Sequence, residues 1–148
     1  MADITRQAEV VWTGNLFNGE GSFAVGSGAF STQGVTWASR TEEPAGKTSP
    51  EELIAAAHAS CYAMALSNAM DEAGHPPERL EVSSVVTFAP KPGGGMMVAK
   101  SALAVRATVA SLDAAGFARI AKEGEEGCPV SNALRGNVEI TLETSLAG

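Results

Sequence analysis

Ser49-Pro50-Glu51-Glu52-Leu53-Ile54-Ala55-Ala56-Ala57-His58-Ala59-Ser60-Cys61-Tyr62-Ala63-Met64-Ala65-Leu66-Ser67-Asn68-Ala69-Met70 reads as one long helix that carries its own start signal. Ser49 suits the N-cap, Pro50 the first turn, and Glu52 the reciprocal arm of a capping box. Glu51 and Glu52 both complement the positive end of the helix dipole. Gly74 followed by Pro76-Pro77 ends the segment. From Leu53 to Met70 there is no Asp, Glu, Lys or Arg, so a membrane span has to be considered. The contents argue against one: His58, Ser60, Ser67 and Asn68 interrupt it, alanine dominates, and acids flank both ends where basic anchors belong. Small apolar residues cover almost every face. The helix is therefore expected to be buried and surrounded, at the centre of the molecule, with its alanines permitting close approach of a second copy in a homodimer.

Outward from this helix the chain reads as strands. Ala8, Val10 and Trp12 alternate with Glu9, Val11 and Thr13; a turn at Gly14-Asn15 and short strands around Gly21–Val25 and Val35–Ser39 complete an N-terminal meander. Downstream, Leu80, Val82, Val86 and Phe88 mark one face of a strand, Lys91–Gly95 turns, and Met97, Ala99, Leu103, Val105, Ala107 and Val109 mark its partner. A helix from about Asp113 to Glu126 turns Phe117, Ile120 and Ala121 inward, a short helix follows Pro129 and closes at Gly136, and Val138, Ile140 and Leu142 form a last strand. The order βββ–α–ββ–αα–β contains no repeated βαβ unit, so the expected class is α+β with antiparallel sheets.

Size and charge narrow the function. A chain of 148 residues fits one domain, 1–148, that buries roughly 70% of the surface its unfolded form exposes. Seventeen acids against ten bases give a formal charge of −7, and no Lys/Arg cluster occurs, so nucleic acid and anionic membranes are excluded as partners. A small molecule or another protein remains. The N-terminus lacks the apolar core of a signal peptide, which predicts a cytoplasmic protein with reduced thiols.

Two cysteines occupy unlike settings, Cys61 in the uncharged helix and Cys128 in Gly127-Cys128-Pro129-Val130-Ser131. Together with Thr48–Cys61 this pair of motifs resembles the OsmC/Ohr family of thiol-dependent peroxidases. The opening Val11-Trp12-Thr13-Gly14, the Arg40 segment and the order of elements extend the likeness over nearly the whole chain. His58-Ala59-Ser60-Cys61 and the Val130 after Cys128-Pro129 look more like the OsmC branch, whereas Arg135-Gly136-Asn137-Val138 looks more like Ohr.

The resemblance implies an intertwined homodimer without cofactor or metal, in which Cys61 attacks an organic hydroperoxide and Cys128 resolves the product as a disulfide. A dithiol, such as a lipoyl group, then reopens the bridge. It further implies that Arg40, held by Glu51, ionises Cys61. The chemistry is coherent: the thiolate is the nucleophile, burial alone favours the neutral thiol, and a guanidinium has donors enough to face both a sulfur and a carboxylate. Bridging requires Cα atoms within about 4.4–6.8 Å. Cys128, just before Pro129, is expected at an N-cap, where free N–H groups favour its sulfur as a leaving group. One tension stands out. From Glu51 to Cys61 an uninterrupted helix rises about 15 Å, so either the helix breaks or Arg40 spans much of that distance.

Other readings compete. Alanine-rich helices bury inert cysteines, Glu51 at a helix start ordinarily only complements the dipole, and Arg40 passes for a solvated charge. His58 lies on the same helical face as Cys61 but reads as a satisfied core histidine rather than a catalytic group. Trp12, Trp37, Phe30 and Met64 read as core or interface. A zinc site could be built from His58, Cys61, Cys128 and His75. A hot-dog-type thioesterase or ligand-binding dimer would have a similar architecture and no need of either cysteine.

Overall fold

The N-terminal strands Ala8–Thr13 (β1), Glu20–Val25 (β2) and Gln33–Val35 (β3) form an antiparallel meander in the computed structural model, which describes residues 1–148. Gly21 sits where Trp12 and Val35 close over the sheet; a Cβ there would meet Trp12 at 2.8 Å and Val35 at 2.9 Å. The strand expected through Ser39 stops at Val35. The chain turns instead into a short helix, Trp37–Thr41 (α1), because Thr36 and Ser39 cap one another. Thr36 Oγ1 accepts the Ser39 N–H at 3.0 Å, and Ser39 Oγ accepts the Thr36 N–H at 2.9 Å. Serine in the place usual for Glu or Gln made this box invisible to pattern reading.

The long helix runs unbroken over Pro50–Glu72 (α2). Ser49 caps it as expected, its Oγ accepting the Glu52 N–H at 3.2 Å. The reciprocal arm is not made: Glu52 instead accepts from Thr48 Oγ1 at 2.7 Å. At the far end Gly74, with φ of 84°, lets His75 N–H reach Met70 O and Gly74 N–H reach Asp71 O, the pattern of a Schellman cap.

The chain divides into two compact units, residues 1–53 and 54–148. In the second unit, Arg79–Pro90 (β4) and Met96–Thr108 (β5) form the expected hairpin, closed by Gly93, Gly94 and Gly95 in left-handed conformations. Ala114–Glu126 (α3), capped by Asp113, and Pro129–Leu134 (α4) follow, and Glu139–Leu146 (β6) completes the sheet. β6 pairs with β5 in parallel, Leu103 opposite Leu142, which corrects the expectation of purely antiparallel sheets. The physical reason is the helical crossover, which returns the chain to the sheet in the direction it left.

Tyr62, Leu66 and Met70 of α2 pack with Leu103, Val105, Ala107, Phe117, Ile120 and Ala121 in one core. At Gly124 a Cβ would lie 3.0 Å from Leu66 Cα, so α3 approaches α2 closely there. The expectation that α2 is surrounded is not met within one chain. Its buried stripe is His58, Tyr62, Leu66 and Met70, while Ala56, Ala57, Ser60 and Asn68 are exposed and Met64 retains 69% of its accessible surface. One sheet with two helices covers only one side of such a helix. No helix is long and apolar enough to cross a membrane.

Candidate active site

Cys128 is the N-cap of α4, with extended backbone angles and Pro129 in the first turn. Its Sγ accepts the Ser131 N–H at 3.5 Å. Cys61, half-buried on α2, packs against the core cluster that holds Cys128, and both the Cys128 thiol and the Val130 N–H act on its sulfur. The first turn of α4 therefore directs an N–H at the Cys128 sulfur. Both cysteines are free thiols. Burial pushes the Cys61 thiol up from its ordinary pKa; the Val130 N–H opposes this, and the neighbouring Cys128 adds to it. A thiol so placed is protonated at neutral pH, and its activation calls for positive charge.

His58, one turn before Cys61, is fully buried and bonded at both nitrogens. Nδ1 lies 2.6 Å from Ser101 Oγ and Nε2 lies 2.7 Å from Ser131 Oγ. Ser101 continues the chain to Ser84 Oγ at 2.9 Å. Burial lowers the pKa of the imidazole, Glu125 partly offsets that, and Arg135 reinforces it. The ring is neutral, as a satisfied core histidine should be. The zinc set is not assembled, because both His58 nitrogens are taken up by serines and His75 Nδ1 is 2.7 Å from Ser111 Oγ. The sequence reading assigns no role at the site to Ser101, Val130 or Ser131. Two signals existed: a serine at an inward position of the β5 alternation, and a serine three residues after an N-cap.

The first unit holds the other two expected residues, and it pairs them. Arg40, in the last turn of α1, donates from Nε to both carboxylate oxygens of Glu51 at 3.0 and 3.1 Å and from Nη2 to Oε1 at 2.7 Å. Glu51 is buried. Beside this ion pair lies an apolar cavity of about 360 Å³, walled by Val10, Trp12, Phe23, Val35 and Trp37, with Arg40 on its lining. The two tryptophans thus face a cavity rather than a filled core.

A sequence model of the family described as OsmC-like protein matches residues 43–143. The chain is 36% identical to the peroxiredoxin OsmC of Escherichia coli K12 over 143 residues, which is 97% of this chain and 97% of that one. It is 35% identical over 97 residues to an organic hydroperoxide resistance protein of Xanthomonas axonopodis pv. citri, covering 64% of this chain and 65% of the relative. Among solved structures, an organic hydroperoxide resistance protein OsmC from Legionella pneumophila superposes with a TM-score of 0.74 at 26% identity, covering 98% of this chain and 99% of that chain.

Proposed function

The chain belongs to the OsmC-like family, and on that premise we propose that it is a thiol-dependent peroxidase that reduces organic hydroperoxides, and hydrogen peroxide less efficiently, to protect against oxidative stress. The observation that carries this reading is that Cys61 packs against the cluster holding Cys128, whose sulfur faces a backbone donor of α4. Two inert core cysteines have no need of that arrangement.

The cycle has three steps. The Cys61 thiolate attacks one peroxide oxygen, the O–O bond breaks, and the departing alkoxide leaves as the alcohol after taking a proton, with Cys61 now a sulfenic acid. Cys128 then displaces the hydroxyl as water and forms the Cys61–Cys128 disulfide. A dithiol of lipoyl type exchanges with that bridge, returns both thiols and departs as its own disulfide. No prosthetic group takes part.

Arg40 is proposed as the cation that ionises Cys61, and Glu51 as the carboxylate that aims it through a bidentate fork. Since Glu51 lies about 15 Å along the helix from Cys61, the ion pair is proposed to serve the Cys61 of a second copy. Such a homodimer would cover the exposed face of α2, where Ala56, Ala57 and Met64 offer a narrow apolar strip for close helix contact. The cavity beside Arg40 would then receive the alkyl part of the peroxide, which favours organic substrates.

The test is consumption of an alkyl hydroperoxide with a small dithiol as reductant. Wild type should turn over, Cys61→Ser should not, and Cys128→Ser should complete one oxidation but recycle poorly. Undiminished turnover in Cys61→Ser would sink the proposal and favour the thioesterase-like alternative.

A further inference from the structure

The geometry points to His58 as the positioning residue that holds the resolving sulfur in register with Cys61, an assignment that rests on the peroxidase reading of the two cysteines. His58 and Cys61 lie three residues apart, hence on one face of α2, and both meet the first turn of α4. Cys61 and Val130 pack against the same core cluster, and the Val130 N–H acts on the Cys61 sulfur. His58 Nε2 contacts Ser131 Oγ at 2.7 Å, and the N–H of that same serine is the donor to Cys128 Sγ. α2 thus meets α4 at two consecutive residues, by packing beside Val130 at the reacting sulfur and by the hydrogen bond between the imidazole and Ser131.

These two grips differ through the cycle. Oxidation places an oxygen on the Cys61 sulfur, so the contact through Val130 must change as the reaction proceeds. The His58–Ser131 contact contains no reacting atom and can persist. The ring is itself anchored: Nδ1 is bound to Ser101 on β5, and Ser101 to Ser84 on β4. His58, Ser101 and Ser131 are all fully buried, where a lost partner leaves an unsatisfied polar group. A six-residue helix has little stability of its own, so the placement of α4 depends on such ties. Arg135, at its other end, is held to Glu125 at 2.8 Å.

The step at stake is the second one. Cys128 attacks the Cys61 sulfenic acid, its S–H bond breaks, the S–S bond forms, the S–O bond breaks, and the proton and hydroxide leave as water. This needs both sulfurs in near-attack geometry, and small misplacements of reacting groups cost rate steeply. The first step needs only Cys61. His58 should therefore act on resolution and spare the initial oxidation.

The experiment is a single turnover of the reduced full chain with tert-butyl hydroperoxide, following peroxide loss and, by quenched intact mass, disulfide formation. Ser131→Ala removes only the hydroxyl facing His58; His58→Gln keeps a polar group directed at that hydroxyl. Peroxide loss in Ser131→Ala should stay within about two-fold of wild type while disulfide formation slows about ten-fold or more. Under excess peroxide, the sulfinic form of Cys61 should accumulate. His58→Gln should lie between Ser131→Ala and wild type. An unchanged disulfide rate in Ser131→Ala overturns the inference, as does an equal slowing of both steps, which would mark a general effect on the fold. Failure of wild type to form any disulfide overturns the two-cysteine reading itself, and it is seen without any variant.

Discussion

Cys61 packs against the core cluster that holds Cys128 although β4, β5 and α3 lie between them in the chain. Reaction of the reduced protein with one equivalent of alkyl hydroperoxide should therefore leave the mass about 2 Da lower, as a disulfide, while Cys128→Ser should gain about 16 Da, as a sulfenic acid. Intact mass spectrometry with a sulfenic-acid trap reads both. A disulfide between chains in place of one within the chain would contradict the pairing.

Burial raises the pKa of Cys61, so the proposed role of its thiolate calls for a cation. Arg40→Met should lower kcat/KM for an alkyl hydroperoxide by about 100-fold and move the rising limb of its pH profile to higher pH, since the remaining influences favour the neutral thiol. Arg40→Lys should recover part of the rate, because it restores charge without the bidentate fork to Glu51. A rate and pH profile indifferent to residue 40 would reject the assignment.

If the ion pair of one chain serves the sulfur of the other, Arg40→Met, with its rate cut about 100-fold, and inactive Cys61→Ser should complement when mixed and allowed to exchange subunits. About half of the dimers become hybrids with one intact site each, which predicts about a quarter of wild-type activity. Met64→Glu, on the exposed face of α2, should shift the protein to monomer in light scattering and lower turnover in parallel. Absence of complementation in verified hybrids would restrict catalysis to a single chain.

Gly124 lies where α3 crosses α2, with Leu66 Cα 3.0 Å from the place of a Cβ. On an exposed helix Gly→Ala stabilises by about 1 kcal/mol. Here overpacking costs about 1–3 kcal/mol, so Gly124→Ala should lower Tm by several degrees. A raised Tm would show that the helices separate without cost.

His58 links stability to pH in a definite direction. Its pKa is lowered in the folded chain, while the unfolded chain titrates at about 6.5. Above that value neither state binds the proton and the full contribution is present. As pH falls through about 6.5, the unfolded chain takes up a proton that the folded chain refuses, and stability declines until the folded pKa is passed. The urea midpoint should fall between about pH 7.5 and about pH 5, with a shallower fall in His58→Gln.

Much of this molecule was readable from local signals. Ser49 and Gly74 bracket α2, Lys91–Gly95 closes the β4–β5 hairpin, and Cys128-Pro129 caps α4, because caps and turns are decided within a few residues. The paired cysteine motifs likewise pointed to the family. Where local signals were ambiguous, competing side chains decided. Thr36 and Ser39 turned an expected strand into α1, and Thr48 took the Glu52 carboxylate that the capping box required.

By itself the sequence determined the long helix, the hairpin and the capped short helix, and it set the two cysteines in recognisable motifs. Only the tertiary structure decided that β6 returns parallel to β5, that α2 buries a single stripe, and that Ser131 links His58 to the Cys128 sulfur. The division has one physical cause. Helix caps and alternation are local free-energy preferences, whereas the meeting of Cys61 with Cys128 depends on a crossover connection and on packing between segments far apart in the chain, which no window of neighbouring residues contains.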